Sequence, residues 1–311
     1  MELQNPEIEN IHLPVVPPKL VLLVLGALSF LGALLGSGII YMMSEVQGID
    51  MKEAIGSFGP DSPIEWRNFM RGILLLNHLT SFLLPALLTG WLFYRRNWAH
   101  LLSLQARPKA AKLVLGVFFV MTAFPLAQIA IGANIWLVER INWLKPLVEM
   151  ESDTGQLVEG LLVMTSPWEL FFSLVVIGLV PAIGEEMVFR GLLQQSLMRW
   201  VKRPTIAIIL TALLFSLIHL QVQRFLAIFL LGLVLGLLFY WTKNLWICIA
   251  AHFLNNAMQV VVAWFYQDKV AELNQADAGD ISWGLSLPAL LLVLLIGFQL
   301  QKSVGSKQVG L

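Results

Sequence analysis

The amino-acid sequence predicts an all-α protein, a polytopic helical bundle that crosses a membrane about eight times. Hydrophobic residues make up 58% of the 311 positions and charged residues only 13%, whereas soluble domains carry about 25% charged residues. The apolar residues form long runs without the alternating pattern of strands. Because a backbone in lipid must satisfy its own hydrogen bonds, helices are the structure that fits these runs.

The apolar runs approach the roughly 20 residues that a helix needs to cross the hydrocarbon core. Their flanks contain the charged and turn-forming residues of the chain, which sets the limits of each span. The predicted spans are 19–42, 70–94, 111–137, 168–198, 205–221, 224–241, 245–266 and 282–300.

The charges between the spans support this count. The stretch 95–112 contains basic residues and no acid, whereas 43–69 and 267–281 are net acidic. Under the positive-inside rule this alternation places both termini in the cytoplasm, with an even number of spans. We expect a multi-pass integral protein of a membrane such as the bacterial inner membrane.

This layout divides the chain into four regions. They are a cytoplasmic N-terminal segment at 1–18, N-terminal transmembrane helices and loops at 19–160, a membrane core at 161–270, and a last transmembrane helix with a cytoplasmic tail at 271–311. The stretch 138–166 fits either an interfacial amphipathic helix or an ordinary ordered loop. The net charge is zero, so we expect membrane lipid and no nucleic acid as a partner.

Three polar motifs lie inside predicted spans, where a charged side chain costs at least about 2.5 kcal/mol. Each motif contains an i,i+4 pair that lies on one helical face: Glu186 with Arg190, Phe215 with His219, and His252 with Asn256. Other polar residues of the spans, such as Asn77 and His78, are interpreted as packing contacts. The motifs are Glu185-Glu186-x-x-x-Arg190, Phe215-x-x-x-His219 and His252-x-x-x-Asn256.

The residue types in these motifs suit hydrolysis by an activated water. Glu185 and Glu186 point about 100° apart on a helix, so one can pair with Arg190 while the other faces a water pocket. A carboxylate in such a pocket can deprotonate water for attack on a carbonyl. Imidazoles and a carboxamide can orient the water and stabilise the oxyanion. The set lacks a serine or cysteine nucleophile, and the only cysteine, Cys248, lies in an apolar setting.

The order and spacing of the three motifs resemble those of the CAAX-type intramembrane endopeptidases. This family comprises type II CAAX prenyl proteases and bacterial bacteriocin-processing or self-immunity proteins. The resemblance covers about residues 167–266 and implies that region 161–270 is the catalytic core of a peptide hydrolase. It implies cleavage of a membrane-associated peptide or protein, with CAAX-type processing of a prenylated protein as one form.

The resemblance also implies a role for each motif residue. Glu185 would be the general base, and His219 would assist it and position the water. His252 and Asn256 would line the oxyanion site. The supporting residues would be Glu186 and Arg190, as an ion pair that holds the helix, and Phe215, which would pack the site.

The glutamate mechanism that the resemblance implies needs no metal, and we expect no cofactor. An alternative is a zinc ion bound by Glu185, His219 and His252, whose side chains are common zinc ligands. The His-Glu-x-x-His pattern of the zincins is absent from the sequence.

Two functions of other classes remain open from the sequence. Intramembrane glutamates and histidines also serve proton-coupled transporters, although no inverted repeat relates the two halves of this chain. A catalytically inactive scaffold of the same fold would explain the helices without the chemistry. The presence of all the motif residues favours an enzyme over this scaffold.

Overall fold

A computed structural model describes residues 16–105, 107–266 and 283–305, and every regular element within them is helical. Most of the predicted segment 1–18 and part of the predicted region 271–311 lie outside the described residues. The helices are α1 (Pro18–Gln47), α2 (Met51–Ser57), α3 (Ile64–Tyr94), α4 (Trp98–Leu101), α5 (Ala110–Met121), α6 (Phe124–Val138), α7 (Lys145–Leu162), α8 (Pro167–Val201), α9 (Pro204–Ile218), α10 (Phe225–Thr242), α11 (Leu245–Phe265) and α12 (Trp283–Gly305).

The helices confirm the all-α, membrane-spanning fold class. Six helical segments of the described chain are long and apolar enough to cross a membrane. They are α1, α3, α5 with α6, α8, α10 and α11. The two remaining predicted spans correspond to shorter apolar helices, α9 and the stretch Ser286–Lys302 of α12. The chain is therefore an integral membrane protein.

Two predicted segments differ in detail from the structure. The span 111–137 is broken between α5 and α6, where Pro125 stands at the second position of the new helix and cannot donate a backbone hydrogen bond. The stretch 138–166 contains the helix α7, so it is a helix and not an irregular loop. The placement of α7 at a membrane surface stays a prediction.

The predicted span 205–221 is too long at its C-terminal end, because α9 ends at Ile218. Leu220 then adopts a left-handed φ of 53°, a conformation that costs an L-residue about 1–2 kcal/mol. The hydroxyl of Ser216 donates to the carbonyl of Phe225 at 2.6 Å and ties the two helix ends together. His219 consequently lies at the end of α9 and not inside a span.

Helix α8 is the centre of the bundle. Of its most apolar stretch of 18 residues 56% is buried, more than in any other candidate span of the described chain. It packs against α3, α9 and α11. Two glycines of α10 let α9 approach closely, because a Cβ at Gly232 would lie 3.0 Å from Ala212. The carbonyls of Gly232 and Gly236 then accept hydrogen bonds from Arg190 and Gln194 of α8.

A buried ionic cluster joins α3 to the first turn of α8. Glu169 is fully buried and accepts from Arg71 Nη1 at 2.7 Å and from Arg67 Nε at 3.1 Å. The second carboxylate oxygen accepts from the backbone and hydroxyl groups of Thr165 at 2.8 and 2.7 Å. Arg71 also donates to the carbonyl of Leu161 at 3.0 Å. These bonds fix the register of α3 against α8.

Replacing Glu169 with alanine is expected to destabilise the protein by about 3–5 kcal/mol, because it leaves two buried guanidinium groups without their carboxylate. Thermal unfolding of the purified protein in detergent would measure the loss. The matched control is Glu65→Ala, which removes an exposed carboxylate from the same helix α3. Equal unfolding temperatures for the two variants would contradict a structural role for the cluster.

Candidate active site

Glu185 occupies the middle of a buried cluster of imidazoles. Its side chain belongs to α8 and is 5% exposed. His78 Nε2 of α3 lies 3.3 Å from Glu185 Oε1, and His252 Nε2 of α11 lies 3.9 Å from Oε2. The ring of His219, at the end of α9, lies against Phe215, whose ring also contacts that of His252. Three helices therefore meet at one carboxylate, and the end of α9 lies beside them.

Three π-helical segments flank the residues of this cluster. Leu79–Leu83 follows His78 directly, and the segments Leu174–Leu179 and Met187–Gln194 enclose the α-helical turns that carry Glu185. A π-helical turn is rare and occurs frequently at functional sites, since it widens the helix and redirects the side chains around it. The local distortions of α3 and α8 thus coincide with the predicted site.

Glu186 connects Arg190 to His252. Its Oε1 accepts from Arg190 Nη1 at 2.7 Å and from His252 Nδ1 at 2.9 Å. Because the carboxylate paired with a guanidinium can only accept, Nδ1 of His252 carries a proton. In the neutral ring, Nε2 is then an acceptor, and this is the nitrogen that faces Glu185.

Glu185 Oε2 is a buried oxygen for which the described residues provide no hydrogen-bond partner. A buried acceptor without a partner costs about 1–3 kcal/mol, so such an atom calls for a functional explanation. The 3.9 Å between Oε2 and His252 Nε2 is too long for a direct hydrogen bond.

Phe215 forms one wall of the cluster. Its ring is 1% exposed and lies 4.7 Å from the ring of His219 and 6.0 Å from that of His252. Phe189 meets it edge-on at 5.0 Å, and the guanidinium of Arg190 lies over its face at 4.8 Å. The aromatic ring thus contacts the guanidinium of Arg190 and both imidazoles.

His219 is fixed through its own backbone turn. Nδ1 lies 2.6 Å from the carbonyl of Phe215, which can only accept, so this nitrogen carries a proton. Nε2 of the neutral ring is an acceptor, and the side chain is half-buried. His219 can therefore interact with a molecule that approaches from outside.

Asn256 lies one helical turn beyond His252, but its described hydrogen bonds involve neither Glu185 nor an imidazole. Its Nδ2 donates to the carbonyl of Ile177 at 3.4 Å, and its Oδ1 accepts from Asn255 at 3.2 Å. A bond of 3.4 Å is at the long limit for N–H···O. The amide of Asn256 can consequently leave this carbonyl and donate to another one at small cost.

The interpretation of His78 as a packing contact is wrong, because its imidazole contacts Glu185 directly. The neighbouring Asn77 is exposed and accepts from Ser81. The sequence contains one signal for His78: it stands near the middle of a long apolar segment, where an ionisable side chain suggests function. This signal hardly separates His78 from the adjacent Asn77.

Among the described residues, the structure brings together no group of three or more His, Cys, Asp or Glu side chains that could hold a metal ion. Two donors that each lie about 2.0–2.2 Å from one tetrahedral zinc ion are about 3.3–3.6 Å apart, and the distance between Glu185 Oε2 and His252 Nε2 is 3.9 Å. The metal-free expectation and the zinc alternative both stay predictions.

Gly184 allows α3 to reach the site. A Cβ at this position would lie 3.2 Å from Cβ of Phe82 and 3.3 Å from the backbone nitrogen of Leu83. Such contacts are tighter than a packed interface normally holds, so a larger side chain must push the π-helical segment of α3 away from Glu185.

Gly184→Val is therefore expected to lower any activity of the cluster by about tenfold or more, since a displacement of about 1 Å at a catalytic group costs up to about 10²-fold. Turnover and unfolding temperature would be measured together. Gly72→Val is the control, because a Cβ at Gly72 of α3, the helix that packs against Gly184, meets open space. Wild-type turnover in Gly184→Val would show that the approach of α3 does not matter.

One comparison with known proteins agrees with the resemblance read from the motifs. Residues 167–258 match the family model described as Type II CAAX prenyl endopeptidase Rce1-like. The matched part begins with α8 and contains all three motifs, which confirms the recognised family resemblance. No curated protein and no solved structure matches the chain. The match supports a CAAX-type membrane peptidase.

Proposed function

We propose that the protein is an intramembrane endopeptidase in which Glu185 activates the water that attacks a peptide carbonyl. The observation that carries this proposal is the buried carboxylate of Glu185, with Oε1 on His78 and Oε2 facing Nε2 of His252. The family match covers Glu185 and His252 and supports a membrane peptidase.

The reaction starts with a water hydrogen-bonded to Glu185 Oε2 and His252 Nε2. Glu185 accepts one proton as the water oxygen bonds to the carbonyl carbon of the substrate, which gives a tetrahedral oxyanion. The peptide C–N bond then breaks, and the proton passes from Glu185 to the leaving nitrogen. One water is consumed, and the products are a carboxylic acid and an amine.

His252 contributes through the tautomer that Glu186 imposes. In the neutral ring, Nε2 accepts from the water and cannot donate to the oxyanion. An imidazolium at this position, stabilised by Glu186, could donate through both nitrogens. The predicted oxyanion role of His252 therefore needs the protonated ring, whereas the carboxamide of Asn256 can donate in either state.

The substrate of this proposal is a membrane-associated peptide or protein. Many large apolar side chains of the described helices are exposed, among them Phe30 at 65% and Leu35 at 66%. In an integral membrane protein such faces contact lipid, so a substrate anchored in the same lipid shares this environment. A prenylated C-terminal tail is the substrate class that the description of the matching family names.

Cleavage by the purified protein in liposomes tests the proposal. The probe is an internally quenched peptide that ends in a farnesylated cysteine and three further residues, together with its unprenylated twin. We expect the wild type to release the C-terminal tripeptide, identified by mass spectrometry, and Glu185→Gln to release it about 10³-fold more slowly. Termini of membrane proteins would also be compared between cells that contain either protein. Intact peptides together with identical termini would overturn the proposal.

A proton-coupled transporter is the second candidate, and one observation favours it. His78, Glu185, His252 and Glu186 form a chain with steps of 3.3, 3.9 and 2.9 Å, and such chains can carry protons through a membrane protein. A pH-driven flux in the same liposomes without peptide cleavage would establish this function. An inactive scaffold would instead retain its cellular function in Glu185→Gln.

A further inference from the structure

His78 lies outside the segment that matches the family and belongs to a helix without any recognised motif. We propose that His78 is a positioning residue that holds the carboxylate of Glu185 in the orientation needed to activate water. This inference rests on the proposed function of Glu185 as the general base. It assigns a role in the reaction to α3, which the family match does not include.

The hydrogen bonds of His78 define what its ring can do. Nδ1 lies 3.1 Å from the carbonyl of Leu74, one turn earlier on α3, and a carbonyl only accepts. Nδ1 therefore carries a proton, and Nε2 is the nitrogen that faces Glu185 Oε1 at 3.3 Å. Nε2 can donate to the carboxylate of an ionised Glu185 only if it also carries a proton, so the proposed contact joins an imidazolium to the carboxylate.

This bond makes the two oxygens of Glu185 unequal. Oε1 is occupied by His78, whereas Oε2 points towards His252 Nε2 and the water of the proposed reaction. Without a partner on Oε1, the carboxyl group can rotate about its terminal torsion, which has a broad energy profile. Rotation would move the basic oxygen away from the water and lose the geometry that the reaction needs.

The surroundings of His78 hold its ring in place. The ring stacks on Phe82 with 5.6 Å between the centroids and 28° between the planes. The helix behind it is bonded to α8 through the Glu169 cluster, and Gly184 lets the segment Leu79–Leu83 approach α8. A side chain fixed by packing and by a second hydrogen bond is the arrangement that orients a reacting group well.

Two substitutions separate hydrogen bonding from packing at this position. His78→Gln keeps a side-chain N–H that can donate to Oε1, whereas His78→Phe keeps an aromatic ring against Phe82 but offers no hydrogen bond. We expect kcat for the farnesylated peptide to fall about 30-fold or more in His78→Phe, with KM nearly unchanged because His78 does not touch the peptide. His78→Gln should recover part of the loss.

The matched control is Asn77→Ala, which removes an exposed polar side chain from the adjacent position of α3. It should leave kcat and KM at wild-type values, and unfolding temperatures would show that all variants are folded. A wild-type kcat in His78→Phe, or a greater loss in His78→Gln than in His78→Phe, would overturn the inference. The proposed function would survive either of these results, since the wild type would still cleave.

A spectroscopic measurement tests the contact without any substrate. The chain contains five histidines, so ¹⁵N-histidine spectra of the protein in liposomes are simple enough to assign by substitution. Glu185→Gln should shift the Nε2 resonance of His78 and leave that of His100, which is bonded to Gln105. An unchanged His78 resonance would refute the contact. Absence of cleavage by the wild type would instead remove the proposed function and the catalytic meaning of His78 with it.

Discussion

Glu185→Gln is expected to cleave the farnesylated peptide about 10³-fold more slowly than the wild type, which is within the range lost with a general base. The amide has nearly the shape of the carboxylate but cannot take a proton from water. Oε2 of Glu185 is a buried oxygen without a hydrogen-bond partner among the described residues, as is Oε2 of Glu186. Because Glu185 is the proposed base, the effect of its replacement should appear in kcat.

The control for this variant is Glu65→Gln, which makes the same chemical change at an exposed position of α3. Glu185→Asp adds a second test, because it keeps the acid but withdraws it by one methylene group from His78 and His252. Its rate should lie between those of the wild type and Glu185→Gln. If Glu185→Gln cleaved within threefold of the wild type, another group would have to be the base.

Glu186→Gln is expected to lower kcat by about 10²-fold or more and to destabilise the protein by about 3–5 kcal/mol. The loss of stability follows because Arg190, which is fully buried, would keep its charge without a carboxylate partner. The loss of rate follows because His252 Nδ1 would lose the anionic acceptor that sets its tautomer.

A double variant separates these two effects. In Glu186→Gln with Arg190→Met, both buried charges are removed, so the unfolding temperature should recover towards the wild type. The rate should stay low, because His252 still lacks its anionic acceptor. Recovery of rate and stability together would show that Glu186 acts only as the ion pair with Arg190 that the sequence resemblance implies.

Most of the helices could be predicted from the sequence, because each apolar run is long and the loops carry their own charge pattern. The end of α9 could not. Four of the six residues 217–222 are apolar, so the sequence gives no clear end to the helix. The helix stops there, where Leu220 takes a left-handed backbone and Ser216 bonds to Phe225. Such contacts form only when two helices have already packed.

The convergence of Glu185, His219 and His252 was foreseeable in part, since i,i+4 spacing marks the polar face of each helix. The tautomer of His252 was not, because it depends on a bond between α8 and α11. His78 was missed for a related reason. A single histidine in an apolar run gives no indication of its partner, and neither does Glu169, whose guanidinium partners lie on another helix.

The Glu169 cluster has a consequence for how the chain can be divided. The ion pairs reach from α8, where the family match begins, to α3, which lies wholly before it. A fragment cut to residues 167–258 would leave Glu169 unpaired and would have no imidazole on Glu185 Oε1. The stretch that can be recognised by comparison is thus not an autonomous module, and transplanting it onto other helices should carry over the motifs without the reactivity.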